Sequence, residues 1–149
     1  MKPTFQNKNI STLLPLVGMG IFILLYAIAA INYPGGSWAD PGQIGFSFWN
    51  NYLCDLLDTY TVSGVLNPAR MYARLALLIL CISLMLLWYR LPRLFNNKSR
   101  NLKIMQWAGV ISFGVTLLLG SESHDIITRI AGFIGVIALI LLFINFYGE

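Results

Sequence analysis

Charged residues are scarce in this sequence: they make up 11% of the chain, whereas 57% of its 149 residues are hydrophobic. A soluble domain of this size usually carries about 25% charged residues. The single histidine, His124, has only the neighbouring Glu122 and Asp125 beside it, which are not spaced as helical zinc ligands. No complete catalytic or cofactor motif is present, so neither a metal nor a cofactor is predicted. These absences exclude an ordinary soluble domain.

Two further absences narrow the function. The long apolar runs contain no Asp, Glu or Lys at mid-depth, where ion channels and proton-coupled pumps place ionisable groups. Cys54 lies in a connection and Cys81 lies deep in an apolar run, so a disulfide between them is not expected. Both cysteines are interpreted as small packing residues.

Four long apolar runs predict an all-α membrane protein. A hydrocarbon core of about 30 Å needs roughly 20 apolar residues per helix, and irregular backbone cannot cross lipid with its polar groups unpaired. Asn67 is suited to cap the second run, with Pro68 at its first position. We expect one integral membrane domain, a four-transmembrane-helix bundle over residues 1–149, with spans at about 11–32, 68–88, 102–119 and 125–146.

The distribution of positive charge predicts the orientation. Seven of the ten Lys and Arg residues precede the first run or lie in the connection at 90–103. Basic loops remain cytoplasmic, so both termini are predicted to be cytoplasmic in a bacterial plasma membrane. The net charge of +4 reflects this asymmetry and requires no nucleic-acid partner. A rival interpretation is a signal peptide cleaved near residues 27–29.

The connection at 33–67 is the least generic part of the chain. It opens with Tyr33-Pro34-Gly35-Gly36-Ser37, a turn-forming run. From Gly45 to Tyr60 an apolar stripe recurs at helical spacing, and a polar stripe containing Asn51, Asp55 and Asp58 lies on another face. This pattern predicts a short amphipathic helix at the outer membrane interface, within a structured external cap.

The opening at 33–37, the segment Asn51-Tyr52-Leu53-Cys54-Asp55-Leu56-Leu57 and the segment Asn67-Pro68-Ala69-Arg70 resemble bacterial membrane proteins grouped as domain of unknown function nine-nine-eight. The resemblance implies about six spans and no established activity. This chain would then be a short variant or lack a C-terminal helix pair. The layout is also distantly similar to eukaryotic membrane proteins of GPI-lipid remodelling and autophagy modulation, an analogy that does not supply a function.

Polar residues cluster at the predicted outer ends of the spans. Arg70 and Arg74 share a helix face, with Asp55 and Asp58 as expected partners, and Arg129 forms a second four-residue pair with Asp125. Three interpretations remain open. The ion pairs pin the cap to the bundle, the arginines bind a lipid phosphate, or Asp55 or His124 acts as a general base for water or Ser121. The weak catalytic candidates are therefore Asp55, His124 and Ser121.

Small residues in the runs favour close helix association, either within the chain or at an oligomer interface. The expected function is a structural, assembly or accessory subunit of a larger membrane complex. The alternative is a protein that binds or modifies lipid head groups. The expected partners are membrane lipids and a membrane protein or a second copy of the chain. The small residues are Gly18, Gly20, Gly109, Gly114, Gly120, Ala131, Gly132, Gly135 and Ala138.

Overall fold

The computed structural model describes residues 8–95, 99–119 and 124–147, with side chains from residue 13 onward. Within these residues there are isolated β-bridges but no β-strand, which confirms the all-α class. Two four-residue 3-10 helices lie at Leu53–Leu56 and Leu91–Leu94. The long helices are α1 (Lys8–Ile31), α2 (Arg70–Arg90), α3 (Arg100–Thr116) and α4 (His124–Tyr147).

Three helices, not four, are long and apolar enough to cross a membrane in the part of the chain that the structure describes: α1, α2 and α4. The prediction of four spans is therefore wrong for the third. Helix α3 has 17 residues, which rise about 25 Å at 1.5 Å per residue. That length falls short of the roughly 30 Å hydrocarbon core. Its first turn also carries Arg100 and Lys103.

The helices form an open row rather than a closed bundle. Extensive packing joins α1 to α2, α2 to α3, and α3 to α4, which are consecutive helices in the described chain. A closed four-helix bundle would also pack α4 broadly against α1. The predicted bundle is corrected accordingly: within the described residues, α1 packs extensively on α2 alone and α4 on α3 alone.

Glycines set how closely neighbouring helices approach. A Cβ added to Gly18 of α1 would overlap the side chain of Ser83 in α2, and one added to Gly109 of α3 would overlap the indole of Trp88. Ser83 is itself satisfied, because its hydroxyl donates to the Ile79 carbonyl at 2.6 Å. Two of the helix contacts therefore depend on the absence of a side chain, as is common for helices in lipid.

The connection at 33–67, here called the cap, folds as a series of turns around one 3-10 helix. The predicted amphipathic helix from Gly45 to Tyr60 is wrong: only Leu53–Leu56 is helical in that range. Gly45 has a φ of +73°, and the Asn51 side chain accepts from the backbone of Ser47 at 3.0 Å. Side-chain bonds to the backbone compete with a helix in this way.

The cap packs on the ends of the first helices. Leu56 and Leu57 are buried in one cluster with residues of α1 and α2. Helix α2 begins at Arg70, slightly later than the predicted start at Pro68. Asn67 nevertheless acts at this helix start, because its Oδ1 accepts from the backbone nitrogen of Ala69 at 3.1 Å.

Candidate functional site

Asp55, a catalytic candidate from the sequence, is a buried structural acceptor. Its side chain is 7% exposed. One carboxylate oxygen, Oδ2, accepts from the Asn51 amide at 3.0 Å and from the backbone nitrogen of Tyr52 at 3.0 Å. A general base needs its acceptor oxygen within reach of a substrate proton. The contacts of Asp55 are instead made inside the cap.

Asn51 connects Asp55 to the opening turn of the cap. Its amide nitrogen also donates to the Gly36 carbonyl at 2.8 Å, and its Oδ1 accepts from Gln43 Nε2 at 2.8 Å. Gly35 and Gly36 have φ values of +133° and +88°, a conformation that suits glycine. The two glycines therefore allow the turn that brings the Gly36 carbonyl to the Asn51 amide.

Asn67 fixes the other end of the cap. It is fully buried, and its amide nitrogen lies 3.1 Å from the Asp55 carbonyl oxygen, 3.3 Å from that of Leu56 and 3.0 Å from that of Asp58. Carbonyls at the end of a short helix need such donors when they are buried. One side chain thus satisfies the end of the 3-10 helix and the beginning of α2.

Arg74 holds the cap through a carbonyl group rather than through the predicted carboxylates. Its Nε donates to the Leu57 carbonyl at 3.1 Å. Over residues 8–95, 99–119 and 124–147, the one ion pair closer than 4.0 Å joins His124 to Asp125, at 3.3 Å. Arg70 is half-buried and Arg129 is exposed. The described arginines therefore do not pair with Asp55 or Asp58 at contact distance.

Charged groups from other parts of the chain change the pKa of Asp58. Its side chain reaches solvent, but the surrounding protein raises its pKa, and the nearby Asp55 carboxylate raises it further. His124 at the start of α4 and Arg74 of α2 lower it without reversing the direction. Arg74 and His124 thus lie within electrostatic reach of Asp58, while Ser121 lies outside the described residues.

Cys54 is a poor candidate for a nucleophile. Burial raises the pKa of its thiol, and Asp55 and Asp58 raise it further. Reactive cysteines need the opposite effect, a thiolate favoured by nearby positive charge. Among the described residues, no three His, Cys, Asp or Glu side chains are grouped to hold a metal ion.

A groove of about 350 Å³ lies between α3 and α4. Its hydroxyl groups are satisfied inside the chain: Ser112 donates to the Ala131 carbonyl at 2.8 Å, and Thr128 to that of His124 at 2.9 Å. A Cβ on Gly135 would lie 3.0 Å from Ser112, whereas one on Gly132 would meet nothing within 4 Å. The lining residues are Ser112, Thr116, Leu119, Thr128, Ala131, Gly132, Gly135, Val136 and Leu139.

Sequence reasoning missed the hydrogen-bond network of the cap. Ser37 is fully buried and bonds Asp40 and Gln43, and Gln43 also bonds Asn50 at 3.0 Å. Uncharged polar residues within an aromatic-rich connection were the available signal, because buried amides and hydroxyls require partners. The helical spacing of the apolar residues predicted an amphipathic helix instead.

Comparison with protein-family models, curated proteins and solved structures finds no match for this chain. The function is therefore inferred from the geometry of the cap and of the helical row.

Proposed function

We propose that this protein is an accessory subunit of a larger membrane complex, which binds a transmembrane helix of a partner in the groove between α3 and α4. The observation that carries the proposal is the open row: α4 packs extensively on α3 alone among the described helices. In this proposal the basic connection at 90–103 lies in the cytoplasm of a bacterial cell, and the cap lies on the opposite side of the membrane.

The glycines of the long helices divide into two groups. Gly18, Gly109 and Gly135 face neighbouring side chains of the same chain, whereas a Cβ on Gly20, Gly114 or Gly132 meets nothing within 4 Å. Gly132 also lines the groove, and it is exposed. In lipid, a helix surface with small residues lets another backbone approach and gain packing contacts.

A transmembrane helix fits this groove better than a polar ligand does. The hydroxyl groups of Ser112, Thr116 and Thr128 donate to carbonyls of their own chain, so the lining offers packing rather than free donors. Helix α4 also exposes large apolar side chains, with Phe133 71% and Phe143 58% exposed. The partner is therefore expected to be apolar and to lie in the membrane.

Substitution of Gly132 tests the proposal. A Cβ at Gly132 or at Gly20 meets nothing within 4 Å, so Gly132→Leu adds a side chain in the groove and Gly20→Leu adds the same side chain on α1. We expect the wild-type protein and Gly20→Leu to migrate as a complex in mild-detergent native gels of membranes. Gly132→Leu is expected to migrate as the free subunit.

An intact complex in Gly132→Leu, or a wild-type protein that migrates free, would refute the proposed groove. A complex that the purified chain forms alone would show that a second copy, rather than another protein, occupies the groove.

A second candidate function is the binding of a lipid head group at the ends of α2 and α4. The favouring observation is that Arg74 and His124, which come from two other segments, both lower the pKa of Asp58 electrostatically. Arg74 uses Nε for the Leu57 carbonyl, so its terminal nitrogens can face a phosphate. Arg74→Lys keeps the charge and loses the fork. It should weaken binding of short-chain phosphatidylglycerol, measured by calorimetry, while the distant Lys103→Gln should not.

A further inference from the structure

We propose that the cap is embedded in the membrane interface and that its apolar side chains between residues 44 and 53 insert into lipid rather than standing in water. This inference rests on the three membrane-spanning helices and on the position of the cap. It does not depend on the proposed partner or on its groove.

The cap reaches below the end of α1. The Tyr26 hydroxyl donates to the Leu53 carbonyl at 3.4 Å, and Tyr26 lies five residues before the end of α1 at Ile31. Five residues of helix correspond to about 7.5 Å. Helical side chains also lean toward the N-terminus, which here is away from the end that carries the cap. Leu53 therefore lies beside the spanning helix, below its end.

The cap also reaches below the beginning of α2. Leu56 and Leu57 belong to one buried cluster with Ala73 of this helix. Arg74, the fifth residue of α2, donates to the Leu57 carbonyl. The four residues from Arg70 to Arg74 correspond to about 6 Å along the helix. The cap thus descends between the ends of both helices instead of resting above them.

The surface of the cap carries few charges and many aromatic and apolar side chains. Residues 33–67 contain no Lys or Arg and only three acidic residues, Asp40, Asp55 and Asp58, of which Asp55 is buried. Tryptophan and tyrosine are enriched where proteins cross from lipid to water. The large apolar side chains exposed in the range 44–53 are Ile44 (94%), Phe48 (74%), Trp49 (97%), Tyr52 (66%) and Leu53 (53%).

Continuity with α1 identifies lipid as the occupant. Ile23 and Leu24 of α1 are 64% and 65% exposed, and Ile28 is 40% exposed, as expected for a span that faces acyl chains. Tyr26 lies within this stretch and contacts Leu53 directly. The apolar surface of the cap therefore continues a surface that lipid already covers, at the level where head groups meet acyl chains.

Tryptophan quenching tests the inference in liposomes that contain the full chain. The triple variant Trp38→Phe, Trp88→Phe and Trp107→Phe leaves Trp49 as the reporter. We expect a blue-shifted emission of Trp49 that is quenched by phosphatidylcholine brominated near the head group and is insensitive to aqueous iodide. Quenching by iodide with no effect of the brominated lipids would overturn the proposal.

Cysteine labelling gives a second test, because Trp88 packs on Gly109 and its replacement can impair folding. Trp49→Cys and the control Asp40→Cys are placed in a chain with Cys54→Ala and Cys81→Ala. A water-soluble maleimide should label Asp40→Cys, an exposed polar position, at least tenfold faster than Trp49→Cys in liposomes. Equal labelling contradicts the inference. Protection of Trp49→Cys in cell membranes but not in liposomes also contradicts it, since a protein would then cover the surface.

Discussion

The cap and the helical row are stabilised in opposite ways. In the cap, buried polar side chains such as Ser37, Asn51 and Asn67 bond to backbone groups and to one another. No buried side-chain nitrogen or oxygen in the described chain lacks a partner. In the row, glycines allow close approach, and α1 and α4 keep large exposed apolar faces.

This difference shows which region can tolerate change. Hydrogen bonds are directional, so the network of the cap specifies one arrangement of turns. Apolar packing between helices in lipid is less directional, and lipid covers whatever surface remains. The cap is therefore the region whose arrangement is specified most closely, while α1 and α4 of the open row keep large exposed apolar side chains.

The largest loss of stability is expected from a substitution that disrupts the cap at Asn67. Asn67→Ala removes the donor shared by three carbonyl oxygens and the acceptor of Ala69 N. Loss of these buried bonds should lower the free energy of unfolding by about 3 kcal/mol, since each unsatisfied buried group costs about 1–3 kcal/mol. Unfolding of the purified protein in mixed detergent measures the change. Asn101→Ala, at an exposed position of α3, is the control, and an equal loss in both variants would contradict the assigned role of Asn67.

A smaller effect is expected from the row at Gly109. Gly109→Ala drives a methyl group into the Trp88 ring, and overpacking of this kind costs about 1–3 kcal/mol. Gly114→Ala, in open space on the same helix, should be neutral or slightly stabilising, because alanine favours helix. The same unfolding assay compares the two variants. A neutral Gly109→Ala would show that the α2–α3 contact adjusts more easily than the cap does.

A modest effect is expected at Asp55 and separates a structural role from a catalytic one. Asp55→Asn keeps an oxygen that can accept from Asn51 and Tyr52, and so should cost about 1 kcal/mol through loss of charge-assisted bonding. Asp55→Ala removes the acceptor and should cost more. If Asp55→Asn unfolds like the wild type but fails to reverse a lipid change that the wild-type protein reverses in a strain lacking this chain, then Asp55 does more than hold the cap.

The smallest effect concerns Asp58 and pH. Its pKa is raised in the folded protein, mainly by burial, so folding favours the protonated form. The corresponding stability is fully present below the unfolded pKa and is lost as pH rises through the raised folded pKa. Asp58→Asn should flatten this acidic-range dependence of unfolding. An unchanged slope would indicate that Arg74 and His124 compensate for the burial of Asp58.

The sequence supported the elements more fully than the site. Long apolar runs without charge predicted the helices, and Asn67 before Pro68 placed the start of α2 two residues before the observed start at Arg70. The same reasoning counted one span too many. The apolar run near α3 includes residues 117–119, but these residues lie beyond the end of the helix. Sequence reasoning also predicted a helix in the cap, since periodicity cannot show that the Asn51 side chain bonds to the backbone of Ser47.

What the sequence determined by itself is the all-helical class and the apolar character of α1, α2 and α4, because local periodicity and hydropathy act within each segment. Only the tertiary structure decided that the helices pack as an open row, that Asp55 serves the cap and that Arg74 binds the Leu57 carbonyl. These outcomes depend on contacts between residues far apart in the chain. Such contacts are selected by shape and by the need to satisfy every buried polar group, which no single segment specifies.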